Sequence, residues 1–111
     1  MKSLYVLLIL PQLLNGADLV NKTCISPSGK SIYDISLSNE INSIGQIILR
    51  YDNQITHYSA IVKRNNNDKL VGVSKFIKSE TGQIQADPWV FTYDYKKNIL
   101  IDDGRLISPC D

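Results

Sequence analysis

The chain has 111 residues, of which 43% are hydrophobic, 21% charged and 8% aromatic, and its formal net charge is +1. This composition is typical of a single globular domain, because a disordered chain would carry fewer apolar residues and less balanced charge. The length excludes a two-domain enzyme. The near-neutral charge argues against a nucleic-acid partner, which normally requires an excess of Lys and Arg on one face.

Residues 1–17 have the features of a secretory signal peptide. Lys2 provides a positive charge, residues 4–14 form a mostly apolar stretch, and small residues precede the expected cleavage site. The apolar stretch is well below the roughly 20 residues that a membrane-spanning helix needs, and Pro11 disfavours a buried helix. We therefore predict a cleaved leader and one secreted or periplasmic domain over residues 18–111, without stable membrane insertion.

The two cysteines lie near the ends of this predicted domain, at Cys24 and Cys110. In an exported chain, an even pair of cysteines is most simply one disulfide. We expect this bond to hold the two ends of the domain side by side.

The Asn21-Lys22-Thr23 triplet is an acceptor for N-glycosylation. Glycosylation of Asn21 is expected only if the chain comes from a eukaryote or a virus of eukaryotes.

Short runs rich in Ile, Val, Tyr and Thr alternate with turn-forming residues along the rest of the chain. Such spacing is typical of an all-β domain built from antiparallel hairpins. The predicted strands cover residues 31–37, 44–51, 54–62, 70–77, 89–95, 98–101 and 105–108. A meander of six to eight short strands with bridged ends favours a closed or strongly curved barrel, with a two-sheet sandwich as the alternative.

Two dipeptides predict tight hairpin turns, Asp52-Asn53 and Asp103-Gly104, because their residues tolerate a positive φ. Residues 64–69 contain three consecutive asparagines and predict a longer, solvated loop.

The run from Trp89 to Tyr95 is the most informative predicted strand. Because residues two apart share one face of a strand, Trp89, Phe91, Tyr93 and Tyr95 are expected on the same side. A core stripe is the ordinary interpretation, since a small β domain must bury its largest residues. The alternative is the wall of a binding surface, with Tyr95 the most exposed of the four.

Groups suited to catalysis or metal binding are scarce. His57 is the only histidine, and we expect an exposed or hydrogen-bonded strand residue there. With both cysteines oxidised, no zinc site can be assembled, and the sequence around Asp102 and Asp103 lacks the remaining ligands of a calcium loop. We therefore expect no metal, no cofactor and no enzymatic activity; a hydrolase that uses His57 is the less favoured hypothesis.

Charge is unevenly distributed along the predicted domain. The middle is basic, through Lys63, Arg64, Lys69, Lys75 and Lys78, whereas five aspartates concentrate in the C-terminal third. Separation of charge at low net charge suits a polarised protein-binding surface, although a solvated surface that protects strand edges is the simpler interpretation.

A candidate binding surface follows from the loops at residues 64–69 and 79–88. Its predicted members are Arg64, Ser79, Gly82, Trp89 and Tyr95. Trp, Tyr and Arg are the residue types that contribute most to protein interfaces.

The nearest candidate for a Ser-Gly loop is the segment Ser79-Glu80-Thr81-Gly82, followed by the aromatic run from Trp89; here Ser79 and Gly82 are separated by two residues. In architecture and predicted mature length, the chain resembles small exported β-barrels that carry such a loop, the bacterial inhibitors of C-type lysozyme. The resemblance implies a periplasmic barrel that inhibits an enzyme by binding it.

The sequence thus predicts a small secreted, non-catalytic β domain that binds an extracellular or periplasmic protein. The alternatives are a lysozyme-inhibitor-like barrel and a carrier of a small apolar ligand. The carrier requires interior volume, and an eight-stranded barrel is barely wide enough for its own side chains.

Overall fold

The computed structural model describes residues 19–66, 68–80, 87–103 and 106–111. The predicted leader, residues 1–17, lies outside the described residues. The eight strands are β1 (Leu19–Ile25), β2 (Ser31–Ser38), β3 (Ile44–Tyr51), β4 (Gln54–Asn65), β5 (Lys69–Ser79), β6 (Trp89–Asp94), β7 (Ile99–Asp102) and β8 (Leu106–Pro109).

All eight strands belong to one antiparallel sheet, in which each strand pairs with the next one along the chain. The sheet curves until β1 meets the end of β8, where Cys24 pairs with Cys110. The predicted meander is therefore confirmed as a nearly closed barrel, and the sandwich alternative is wrong.

The seam between β1 and the C-terminus is held by covalent and hydrogen bonds. The sulfur atoms of Cys24 and Cys110 form the predicted disulfide, with an S–S distance of 2.03 Å. The Asp111 amide donates to the Thr23 carbonyl over 3.0 Å, and the Thr23 amide donates to Asp111 Oδ1 over 2.9 Å. A disulfide that joins the ends is typical of proteins in oxidising compartments.

Asn98, in the turn between β6 and β7, supports the same seam. Its φ of 53° lies in the left-handed region, which asparagine tolerates better than most residues. Its side-chain amide donates to the carbonyl oxygens of Cys110 and Asp111, over 3.1 and 2.9 Å. Its side-chain oxygen accepts the Tyr93 hydroxyl, so one residue connects β6 to the C-terminus.

Alternation along each strand builds the core. In β2 the buried side chains are Tyr33, Ile35 and Leu37, whereas the residues between them face outward. In β6, Phe91 and Tyr93 face inward and Val90 faces solvent, as the period of two predicts.

The predicted turn at Asp52 and Asn53 is confirmed, because both residues have a positive φ, 51° and 63°. Two successive left-handed residues match the twist of a two-residue hairpin. Asp103 has a φ of 49°, and its predicted partner Gly104 lies outside the described residues.

Strand β1 is the one element that the sequence pattern missed. It pairs with β2 over its whole length, from Leu19 opposite Ser38 to Ile25 opposite Ile32. Only Val20 and Cys24 of β1 are buried. The polar residues around them interrupt the alternation of apolar and polar side chains that predicts a strand. Smaller differences affect β6, which ends at Asp94 one residue earlier than predicted, and β4, which extends to Asn65.

Candidate functional site

Side chains of the described residues pack into the interior of the barrel. Phe91 is fully buried, and a Cβ atom placed on Gly72 would lie 2.4 Å from both the Phe91 ring and the Ile61 carbonyl oxygen. The ring therefore occupies the space that a side chain at Gly72 would need. Other large buried side chains belong to the same core cluster: Ile35, Leu37, Ile47, Leu70 and Leu100.

Trp89 forms the centre of an aromatic cluster near the start of β6. Its ring meets the rings of Tyr58, Phe91 and Tyr33 edge to face, with centroids 5.5, 6.2 and 6.3 Å away. Such edge-to-face pairs add packing energy beyond area burial. Trp89 is thus partly buried against the core and packs between the other three aromatic rings.

The Tyr33 hydroxyl connects this cluster to β7. It donates to Asp102 Oδ2 over 3.2 Å. Burial, followed by the negative charge of Asp102, raises the pKa of the Tyr33 phenol well above its ordinary value of 10.0. Burial also raises the pKa of Tyr58 and Tyr93, so the folded chain keeps these phenols neutral under alkaline conditions.

The raised pKa of Tyr33 predicts a loss of stability at high pH. Unfolding exposes the phenol and returns its pKa to about 10.0. The contribution of the neutral phenol to the free energy of unfolding is therefore fully present below that pH and falls as the pH rises above it. Urea unfolding of the wild type between pH 7 and 11 should show this decline, and Tyr33→Phe should show a smaller one. An equally steep decline in both proteins would contradict the assignment to Tyr33.

The predicted binding-surface residues divide between the two ends of the barrel. We call the end that carries the turn at residues 52–53 the turn end, and the opposite end, with residues 66 and 68, the loop end. Ser79 and Trp89 lie at the turn end, because β5 ends and β6 begins there. Gly82 lies outside the described residues.

Arg64 and Tyr95 lie together at the loop end. The Tyr95 hydroxyl donates to Asn65 Oδ1 over 2.9 Å, beside Arg64 on β4. Tyr95 follows the last residue of β6 and is partly buried against the core, where it meets the Tyr93 ring edge to face at 5.3 Å. The predicted surface is therefore two separate regions.

A groove at the turn end brings together residues that the sequence did not single out. It lies between the β1–β2 and β3–β4 connections and has a volume of about 410 Å³. We call it the hairpin groove; its lining residues are Lys30, Ile32, Arg50, Tyr51, Asp52, Asn53, Gln54 and Ile55. The Tyr51 side chain is prominent at the edge of the groove, since the residue is 51% exposed.

The floor of the hairpin groove follows from strand register. Ile32 on β2 lies opposite Arg50 on β3, and Arg50 lies opposite Ile55 on β4, so the three side chains form one row on the outer face. Ile25 on β1 lies opposite Ile32 and continues the row with a side chain that is 46% exposed. Together these residues form an aliphatic row that contains Arg50.

The position of Arg50 is fixed by neighbouring strands. Its guanidinium forms an ion pair with the Asp34 carboxylate, and the Thr23 hydroxyl donates to the other oxygen of Asp34 over 2.9 Å. Because Asp34 already neutralises Arg50, the remaining charges around the groove are Lys30 and Asp52. Neither forms an ion pair with another described residue. Tyr, Arg and aliphatic side chains around a concave surface, with free charges at its edge, resemble the composition of protein interfaces.

His57 is a hydrogen-bonded strand residue, as predicted. Its Nε2 lies 2.7 Å from Glu80 Oε1, and its side chain is on the outer face with Ile55 and Ser59. Within the described ranges, no three His, Cys, Asp or Glu side chains converge to hold a metal ion. The same part of the chain contains no helix of the length and hydropathy needed to cross a bilayer.

Asn21, the predicted glycosylation acceptor, is exposed on β1. Its position leaves the amide open to solvent on the outer face.

No family model, curated protein or solved structure matches the chain.

Proposed function

We propose that the chain is a small secreted protein-binding domain without catalytic activity, and that the hairpin groove is its principal contact surface. The observation that carries the proposal is the exposed Tyr51 beside the aliphatic row of Ile32, Arg50 and Ile55. Tyrosine and arginine dominate the binding energy of protein interfaces, especially beside apolar neighbours that exclude water.

The filled interior supports a surface function over the carriage of an apolar ligand. Phe91 occupies the space over Gly72, so a ligand would have to displace a fully buried ring. Rigid surfaces also suit binding, because a side chain that is already ordered loses less entropy when a partner arrives. Arg50, held by Asp34, and the short turn at Asp52 and Asn53 provide such rigidity.

A photo-crosslinking amino acid at position 51 tests this proposal. The labelled domain is incubated with the extracellular fraction of its source, and adducts are identified by mass spectrometry. The control carries the label at position 90, because Val90 is similarly exposed, at 47%, and lies on β6, away from the groove. We expect a discrete adduct from position 51 that position 90 does not give.

The identified partner then allows affinities to be compared. Tyr51→Ala should weaken binding by about 2 kcal/mol, roughly thirtyfold in Kd, as truncation of an aromatic residue that dominates an interface does. Val90→Ala should leave the affinity unchanged. Equal affinities of the two variants, or identical adducts from both labelled positions, would contradict the proposal.

A further inference from the structure

The hairpin groove carries two charges of opposite sign that the fold leaves without partners. Lys30 precedes β2, and Asp52 begins the two-residue turn between β3 and β4, so the charges belong to the two connections that enclose the groove. Strand register sets Lys30 beside Asp52, one position beyond the pair of Ser31 and Tyr51, yet no ion pair joins them. Neither charged group bonds to another described side chain. The groove therefore carries a local dipole rather than a net charge.

The aliphatic row beside the groove adds no net charge. Arg50 is neutralised by its ion pair with Asp34, and its neighbours in the row are Ile25, Ile32 and Ile55. A partner surface with one sign of charge would attract one end of the dipole and repel the other. The surface that matches both ends carries the same two charges in the opposite order, beside apolar side chains that exclude water.

We propose that the partner of the hairpin groove is the hairpin groove of a second copy of the chain, in a two-fold symmetric dimer. In such an interface the same patch of both copies meets, so every contact occurs twice. A two-fold axis between Lys30 and Asp52 places Lys30 of each copy opposite Asp52 of the other. The same arrangement brings the aliphatic rows face to face and the exposed Tyr51 of each copy against the other groove.

This inference rests on the proposed function, because it names the partner of the same groove. The groove and its row extend over β1–β4, about 14 Å at the usual strand spacing of about 4.8 Å. A contact of this size belongs to transient complexes rather than to obligate dimers, which bury far more surface. We therefore expect monomers and dimers that exchange at micromolar concentrations.

Reversal of one charge at a time tests the symmetric pairing. Lys30→Glu leaves two negative charges at the groove, and Asp52→Lys leaves two positive ones. Sedimentation equilibrium of each full domain at low salt, from low micromolar to millimolar concentration, measures dimerisation, and urea unfolding establishes that each variant is folded. The matched controls, Lys75→Glu and Asp87→Lys, change the net charge equally at exposed positions outside the groove.

Each groove variant alone should dimerise about tenfold more weakly than the wild type, because like charges then meet twice. An equimolar mixture of the two groove variants should regain dimerisation, since each groove meets charges of the opposite sign. The control variants should dimerise within twofold of the wild type, alone and mixed. Equal effects of the groove and control variants, or a wild type that stays monomeric at every concentration, would overturn the inference.

The photo-crosslinking label at position 51 provides a second measurement that needs no charged variant. The purified labelled domain alone should give an adduct of twice the chain mass, joined to the groove of the second copy, and the label at position 90 should not. If position 51 yields adducts with another protein and none with a second copy, this inference fails and the proposed function stands. If position 51 yields no adduct of either kind, both fail.

Discussion

Replacement of both cysteines by alanine is expected to lower the free energy of unfolding by up to about 4–5 kcal/mol. Cys24 and Cys110 are separated by 86 residues, so their bond removes much of the conformational freedom of the unfolded chain. A loss of this size is large for a domain whose total stability is about 5–15 kcal/mol. The described part of the seam has no other covalent link, and its remaining hydrogen bonds involve Lys22, Thr23, Asn98 and Asp111.

Urea unfolding with and without reductant measures this loss. Reductant should bring the wild type close to the double variant and leave the double variant unchanged. If the wild type keeps its midpoint after complete reduction, the disulfide does not stabilise the barrel and the account of the seam is wrong.

Phe91→Ala is expected to lower the free energy of unfolding by about 3–5 kcal/mol. The Phe91 ring is fully buried, fills the space over Gly72 and meets Trp89 edge to face. Its removal therefore leaves a cavity in the centre of the barrel that the rigid neighbouring strands cannot close.

Val90→Ala is the matched control, because Val90 is the preceding residue on β6 and points to solvent. Val90→Ala should change the free energy of unfolding by no more than about 0.5 kcal/mol, as other surface substitutions do. Urea unfolding of the two variants compares the faces of one strand directly. Similar costs at both positions would contradict the observed register of β6 and the barrel interior built on it.

Much of the fold is readable in the sequence because its determinants are local. Alternation in β2 and β6 requires only neighbouring residues, and the turn at Asp52 and Asn53 follows from the tolerance of those two residues for positive φ. The pairing of Cys24 with Cys110 has no competitor among the described cysteines. The sequence pattern does not predict strand β1. This strand is stabilised by its pairing with β2, and that pairing is not encoded in the residues of β1 alone.

The division of the candidate surface into two regions has a topological cause. The predicted loops at residues 64–69 and 79–88 precede and follow β5, and consecutive connections of an antiparallel meander lie at opposite ends. The strand prediction already contained this consequence. The predicted strand order alone therefore separates Arg64 and Tyr95 from Ser79 and Trp89.

The hairpin groove was not predictable in the same way. It depends on the relative position of two turns, one near Lys30 and the other at Asp52, and on the row from Ile32 to Ile55 across three strands. Strand register sets that row, and register is fixed by the whole sheet rather than by any single segment. The one local signal was Tyr51, a large aromatic residue directly before a tight turn.

We propose a disulfide-closed barrel that acts through its outer surface and holds no ligand in its interior. Native mass spectrometry of the protein purified from its source tests this claim most directly. The account predicts the mass of the polypeptide two hydrogens lighter than its reduced form, with no small molecule retained. A retained apolar molecule that is released only on denaturation, together with free thiols at Cys24 and Cys110, would contradict both the filled interior and the closed seam.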